Sequence, residues 1–220
     1  MPWFTVKSRW SDQTQQGGGG SGADKVAAVE TAGATSGRPG SLTAADLERI
    51  VNGDVIDGSG IPNGSGAATG VSDEGLGFTA SKEGWRSRMY NDTNGNATIG
   101  YGHLVHAGPI GTNSTAEAPF VGGITRQQGA DLLRVDMGTA EAAVNGYVTV
   151  PLNQNQFDAL SDFTYNVGGG AFSRSTLLQD VNAGLGAGDI SDDFMMWTKG
   201  GCCVVRRTQE ANIYNSGTYP

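Results

Sequence analysis

Cysteine is nearly absent from this 220-residue chain: there are two, Cys202 and Cys203, and they are adjacent. A disulfide between neighbours closes a strained ring, so two free thiols are expected rather than a redox pair. Two cysteines and two histidines with no ligand spacing give no zinc site. Long apolar runs are missing too. No stretch of 18 apolar residues occurs, so no transmembrane helix is expected. The first ten residues, MPWFTVKSRW, lack the charged start and apolar core of a signal peptide, so unaided export is not expected. Basic charge is in deficit: 14 Lys and Arg against 22 Asp and Glu leave a net charge of −8. A nucleic-acid protein would show a basic face, so no nucleic-acid partner is expected.

Apolar residues are scarce, 37% of the chain, and crowd into its second two-thirds, where a core can form. Glycine is plentiful, 36 residues. The length allows one domain of ordinary size plus an extension. Residues 1–22 hold Trp3, Phe4 and Trp10 with Lys7 and Arg9, followed by the linker composition QGGGGSG. This arm reads either as a tail without a role of its own or as a docking peptide anchored by Trp and Arg. Residues 23–70 are rich in Ala, Gly, Ser and Thr, with one short helix expected from Leu42 or Thr43 to about Asn52. Asp54, Asp57, Gly58 and Asn63 fit no twelve-residue calcium loop with a closing Glu. The main domain is set at 71–220, and residues 71–220 are expected to fold and act without the rest.

The chain is organised around Lys82–His103, KEGWRSRMYNDTNGNATIGYGH. Ser72 can cap a helix whose first turn holds Asp73 and Glu74, favourable acids there. That helix delivers Glu83, and Gly84 closes it. Asn94-Gly95 suits a type I′ turn. Arg86–Tyr90 and Ala97–Tyr101 are then two strands of a hairpin, with Asp92 on its shoulder and Thr98 on the returning strand. His103-Leu104-Val105-His106 leads into GPIGTNSTAEAPFVGG, a loop with turn residues. The remainder reads as helices. Thr125 with Gln128, and Asn153 with Gln156, are capping boxes. The glycine run 168–170 stops the second of these helices. Further helices are expected at Ser175–Asn182, about Asp189–Thr198 and about Val204–Tyr214. The fold class is α+β, a small β-hairpin sheet beside a mainly helical bundle with a cleft between them.

Glu83, eight residues, Asp92, five residues, Thr98, then Ile99-Gly100-Tyr101-Gly102-His103 resembles the phage-type lysozymes, the muramidases of glycoside hydrolase family 24. The stretches PLNQNQFDAL at 151–160, NVGGGAF at 166–172, STLL at 175–178, and Trp197 with Arg206, Arg207 and Glu210 are similar to the same family. The resemblance covers about 71–217. It departs at Gly200–Val205, where relatives carry a longer loop with Pro-Gly and this chain has GGCCVV.

The resemblance implies a lysozyme-like fold and hydrolysis of the β-1,4 bond between N-acetylmuramic acid and N-acetylglucosamine in peptidoglycan. No cofactor or metal is implied. Glu83 is the expected general acid, because a leaving alkoxide must be protonated as the bond breaks. Asp92 is expected to stay ionised and either orient and deprotonate a water or stabilise the oxocarbenium-like transition state, and Thr98 to hold the attacking water. Together the three favour inversion. Leu104, Tyr165 and Ser175 match positions that line the sugar groove in relatives. His103, Arg206 and Arg207 are expected behind the catalytic groups, with one arginine reaching the cleft. A net-negative protein has no general attraction for an anionic wall, so local basic groups are needed. Two rivals remain: a lytic transglycosylase using Glu83 alone, and a virion or wall-binding protein that keeps the fold. The route to the wall is either holin-mediated release from the host cytoplasm or carriage on the phage particle through residues 1–22.

Overall fold

The computed structural model describes residues 67–198 and 201–220. The aromatic arm and the helix expected near residues 42–52 lie outside the described residues. The chain divides into two compact units: residues 83–135, and a second that joins the segment before residue 83 to residues 136–220. Helices and one small antiparallel sheet make up an α+β architecture, as expected.

The first unit is built on three strands in the order β1 (Arg86–Asn91), β2 (Ala97–Gly100), β3 (His103–His106). The third strand corrects the sequence reading, which ran His103–His106 into a loop. Four residues are too few to show a period of two. The turn before them is instead made by glycines: Gly100 and Gly102 take φ of +66° and +92°, and the Gly102 N–H donates to the Ile99 carbonyl at 3.1 Å.

The β1–β2 turn also differs from expectation. A type I′ turn needs φ > 0 at both Asn94 and Gly95. Only Gly95 is left-handed, at +80°. The Gly95 N–H donates to the Asp92 carbonyl, and the Asp92 N–H to the Asn96 carbonyl, each at 2.9 Å. This is a three-residue connection, a turn followed by one left-handed glycine. The Asp92 side chain selects it by accepting backbone bonds inside the turn.

The stretch read as a loop after β3 contains α2 (Ser114–Glu117), capped by the Asn113 side chain, and a 3-10 turn, Ala118–Phe120. Phe120 joins Ile99, Ile124 and Leu132 in the core of this unit, with Trp85, Met89 and Val105 against it. A Cβ on Gly129 would stand 2.2 Å from the Trp85 ring, so glycine is what lets that indole pack there.

His106 and Glu117 are both buried beneath this loop. His106 Nδ1 lies 2.8 Å from the Ala107 carbonyl and Nε2 lies 2.7 Å from Glu117 Oε1. Both partners can only accept, so the ring satisfies both only as an imidazolium. The Ala107 carbonyl, with Glu117 behind it, holds the imidazole pKa above 6.5 against the opposing effect of burial. His106, then the Gly111 N–H, hold the Glu117 carboxyl below its usual 4.5. The histidine's contribution to stability is complete below pH about 6.5 and is lost as pH rises through its folded value. The glutamate's is complete above about 4.5 and is lost as pH falls through its own. Thermal melting should therefore decline on the alkaline side of pH 6.5, and His106→Gln should remove that decline. An unchanged alkaline slope in the variant would refute the assignment.

The second unit packs around α4 (Gln154–Val167), whose residues 157–165 are all buried. Before it comes α3 (Arg126–Tyr147), a 22-residue helix opened by the expected capping box: the Gln128 N–H donates to Thr125 Oγ1, and the Thr125 N–H to Gln128 Oε1. The second box, Asn153 with Gln156, opens α4 as expected. Gly168 ends α4 with φ +91°, but Gly169–Phe172 then forms a further turn, α5, where only a break was expected. After it come α6 (Thr176–Ala183), capped by Ser175 and closed by left-handed Gly184, then α7 (Ala187–Met195) and α8 (Val204–Ser216). Phe163 meets Phe172, Phe194 and Trp197 edge-on, with ring centroids 6.3, 5.5 and 5.3 Å away. Cys202 and Cys203 are free thiols, as expected.

Helix α1 (Asp73–Glu83) touches α4 at Gly75, beside Asp158, and at Thr79, which bonds Asp162. A Cβ on Gly75 would stand 2.5 Å from the Asp158 carboxyl carbon, so the two helices meet at a residue without a side chain. Ser72 caps α1 by accepting from the Gly75 N–H at 3.0 Å. The boundary set at residue 71 falls too late. The Ala68 N–H donates to the Leu152 carbonyl at 3.0 Å, and the carbonyls of Thr69 and Gly70 accept from Asn145 and Gln154. Residues 68–70 thus already belong to this unit.

Candidate active site

Glu83 is the last residue of α1, and Gly84, at φ +69°, ends the helix there. The chain then enters β1 within three residues, so helix end and strand start are locked in sequence. Glu83 is half-buried.

Asp92 stands on the β1–β2 connection, half-buried. Its Oδ1 accepts from the Asn94 and Asn96 N–H groups at 2.9 and 2.8 Å. Both bonds fall on one oxygen, so the carboxylate is fixed in direction while Oδ2 takes neither. A carboxylate held this way is preorganised.

Thr98 is 2% exposed, and its hydroxyl donates to the Asn96 carbonyl at 3.1 Å. With its proton so committed, the oxygen still accepts. In the strand register Thr98 stands opposite Tyr90 on one side and Leu104 on the other. Residues directly opposite share a face. Leu104, Thr98 and Tyr90 therefore form one cross-strand row, and Asp92 opens the connection that follows β1. His103 pairs with Ile99 and falls on the opposite face, where its ring lies 6.1 Å from that of Phe120.

Tyr90 is a residue the sequence reading passed over. Its phenol pKa is pushed up, first by burial, then by the nearby Asp92 and Glu83 carboxylates, against the lowering effect of Arg86. The Arg86 guanidinium sits 5.0 Å from the centre of its ring. The signal for Tyr90 was its place two residues before Asp92, which becomes informative once the strand is known.

The other expected residues belong to the helical unit. Tyr165 is buried on α4. Ser175 is also buried, and its hydroxyl donates to the Phe172 carbonyl while accepting from the Leu178 N–H. It is engaged as the cap of α6. Arg206 binds Asp162 through two nitrogens, Nε to Oδ2 at 2.9 Å and a terminal nitrogen to Oδ1 at 2.7 Å. Arg207 is the more buried of the two arginines, one of which was expected to reach the cleft. It has no exposed surface, and its guanidinium is held by Glu210 at 2.7 Å, by Asn166 and by the Phe163 ring at 4.8 Å. Four charged side chains, Asp162, Arg206, Arg207 and Glu210, are thus buried together. Among the described residues no group of three or more His, Cys, Asp or Glu could hold a metal ion.

The region that holds these residues is similar to known proteins. A match to the phage lysozyme family spans residues 80–210. The chain is 37% identical over 150 residues to the endolysin of Salmonella phage P22, covering 66% of this chain and 98% of that protein. A crystal structure of the lysozyme of the same phage superposes with a TM-score of 0.56 at 34% identity, covering 66% of this chain and 97% of the other. The muramidase domain of SpmX from Asticaccaulis excentricus gives 0.54 at 31% identity, covering 66% and 96%. With Glu83 at a helix end, Asp92 on the following turn and Thr98 on the returning strand, this chain belongs to the phage lysozyme family and is a glycoside hydrolase.

Proposed function

We propose that the enzyme cleaves the β-1,4 bond between N-acetylmuramic acid and N-acetylglucosamine in bacterial peptidoglycan, with inversion at the anomeric carbon. Glu83 gives its proton to the glycosidic oxygen as the bond to the sugar breaks. Asp92 takes a proton from a water on the opposite face, whose oxygen forms the new bond. Thr98 accepts a hydrogen bond from that water and fixes its approach. The cycle leaves Glu83 ionised and Asp92 protonated, and exchange with solvent restores both. The reading is supported by the match to the phage lysozyme family over residues 80–210, with Glu83 ending a helix and Asp92 and Thr98 on the hairpin that follows.

Inversion needs room for a water between acid and base, which corresponds to carboxyls about 6.5–9.5 Å apart. The test is digestion of purified peptidoglycan, with fragments weighed and the first product anomer read by NMR. Reducing-end fragments that appear as the α anomer are expected. A persistent β anomer would point to a covalent intermediate, anhydro sugars to a transglycosylase, and no release to a binding protein; each overturns the proposal.

A further inference from the structure

Two buried carboxylates on α4 face α1. Asp158 and Asp162 are 2% and 1% exposed and stand four residues apart, on one side of their helix. Each accepts a hydroxyl from the segment carrying α1. Ser72 reaches Asp158 with its hydroxyl and its N–H, and Tyr219 donates to the same carboxylate at 2.6 Å. Thr79, with no exposed surface, donates to Asp162 Oδ1 at 2.8 Å, and its oxygen also lies 3.2 Å from the Gly75 carbonyl. Arg206 grips both oxygens of Asp162 from α8. The Asp162 carboxylate is therefore fixed from one side and holds Thr79 on the other.

Thr79 precedes Glu83 by four residues, so the two lie on one face of α1, one turn or about 6 Å apart along the axis. Gly75 precedes Thr79 by four more and is the point of closest approach to α4. Gly75 and Thr79, which touch α4, and Glu83 recur at four-residue spacing along α1. A helix pressed along a glycine contact is free to slide or roll until a directional bond stops it. Thr79–Asp162 is such a bond, nearest to the acid. Lys82 adds a second, donating to Gln209 on α8 at 2.6 Å.

We propose that Asp162 and Thr79 are positioning residues for the hydrolysis, setting the axial register of α1 and through it the place of the Glu83 carboxyl. This rests on Glu83 being the acid. Displacing a reacting group by about 1 Å can cost ~10²-fold in rate with little effect on binding. The register bond acts on kcat and leaves KM alone.

The test compares kcat and KM on a soluble peptidoglycan oligomer for Thr79→Val, Thr79→Ser, Asp162→Asn and Ser72→Ala, at a temperature where circular dichroism shows each fully folded. Thr79→Val and Asp162→Asn should each lower kcat about tenfold or more with KM within about twofold. Thr79→Ser, which restores the hydroxyl, should recover most of the rate. Ser72→Ala, at the far end of α1, should lower the melting temperature and leave kcat within about twofold. If Asp162→Asn does not fold, Thr79→Val decides by itself. A kcat for Thr79→Val near wild type overturns the proposal, and so does an equal loss in Ser72→Ala, which would mean general loosening. Glu83→Gln run in parallel separates the two readings. If it stays active the acid is misassigned; if it is dead while Thr79→Val is fully active, only the positioning role fails.

Discussion

Replacing Glu83 by Gln should abolish most activity and leave the fold intact. The amide has the same shape and can still donate a hydrogen bond, but it cannot release a proton to the departing oxygen. Loss of general acid catalysis alone costs about 10²–10⁴ in rate. The substitution is mild for the structure, since Glu83 is half-buried at a helix end that Gly84 would terminate in any case. Clearing of cell-wall suspensions, followed by turbidity beside a thermal melt, separates the two effects. A variant that clears walls at near wild-type rate places the acid elsewhere.

Replacing Arg206 by Met should produce the largest loss of stability. Burial works to raise the Asp162 carboxyl, and the Arg206 guanidinium overrides it, holding the pKa below 3.8. Breaking a buried pair by removing one partner costs about 3–5 kcal/mol, because the other charge is left uncompensated. Domains of this size are stable by only about 5–15 kcal/mol, so the variant should sit close to unfolding at neutral pH. The sign of the pH dependence is a second check. In the wild type, Asp162 contributes stability that is present above pH about 3.8 and lost as pH falls through its lower folded value. Without Arg206, burial raises the carboxyl instead, so the penalty is relieved on acidification. Urea unfolding at pH 7 and in mild acid should show the deficit of the variant shrinking in acid. A constant deficit would mean that Asp162 is not the group left behind.

Local chemistry was legible in the sequence wherever a bond spans a few residues. Both capping boxes, the Ser72 cap, the Gly84 stop and the Ser175–Gly184 bracket rest on groups three or four positions apart, and each formed as expected. The third strand was not legible, because His103–His106 is only four residues and its existence depends on pairing with β2. The turn type was misjudged because Asn94-Gly95 fits two geometries, and the Asp92 carboxylate chose between them. Arg206 and Arg207 could not be told apart, since neighbouring residues on a helix point roughly 100° away from each other and their partners, Asp162 and Asn166, lie more than forty residues upstream. Candidate site residues followed the same division. Asp92 and Thr98 come from one hairpin that the sequence displayed, whereas Tyr90 became visible only through strand register.

The two carboxylates are held over very different lengths of chain. Asp92 is fixed by N–H groups two and four residues away, whereas Thr79, one turn from Glu83, is fixed by a partner 83 residues away. Short loops close quickly, and long-range contacts form only after the chain between them has been gathered. During synthesis the hairpin that bears Asp92 can form soon after it is made. The bond that holds Thr79 waits for α4, and for α8 to deliver Arg206 behind Asp162. A nascent chain therefore fixes Asp92 early and the helix that ends in Glu83 late. Under the proposed mechanism, a chain truncated before α4 is expected to be catalytically silent.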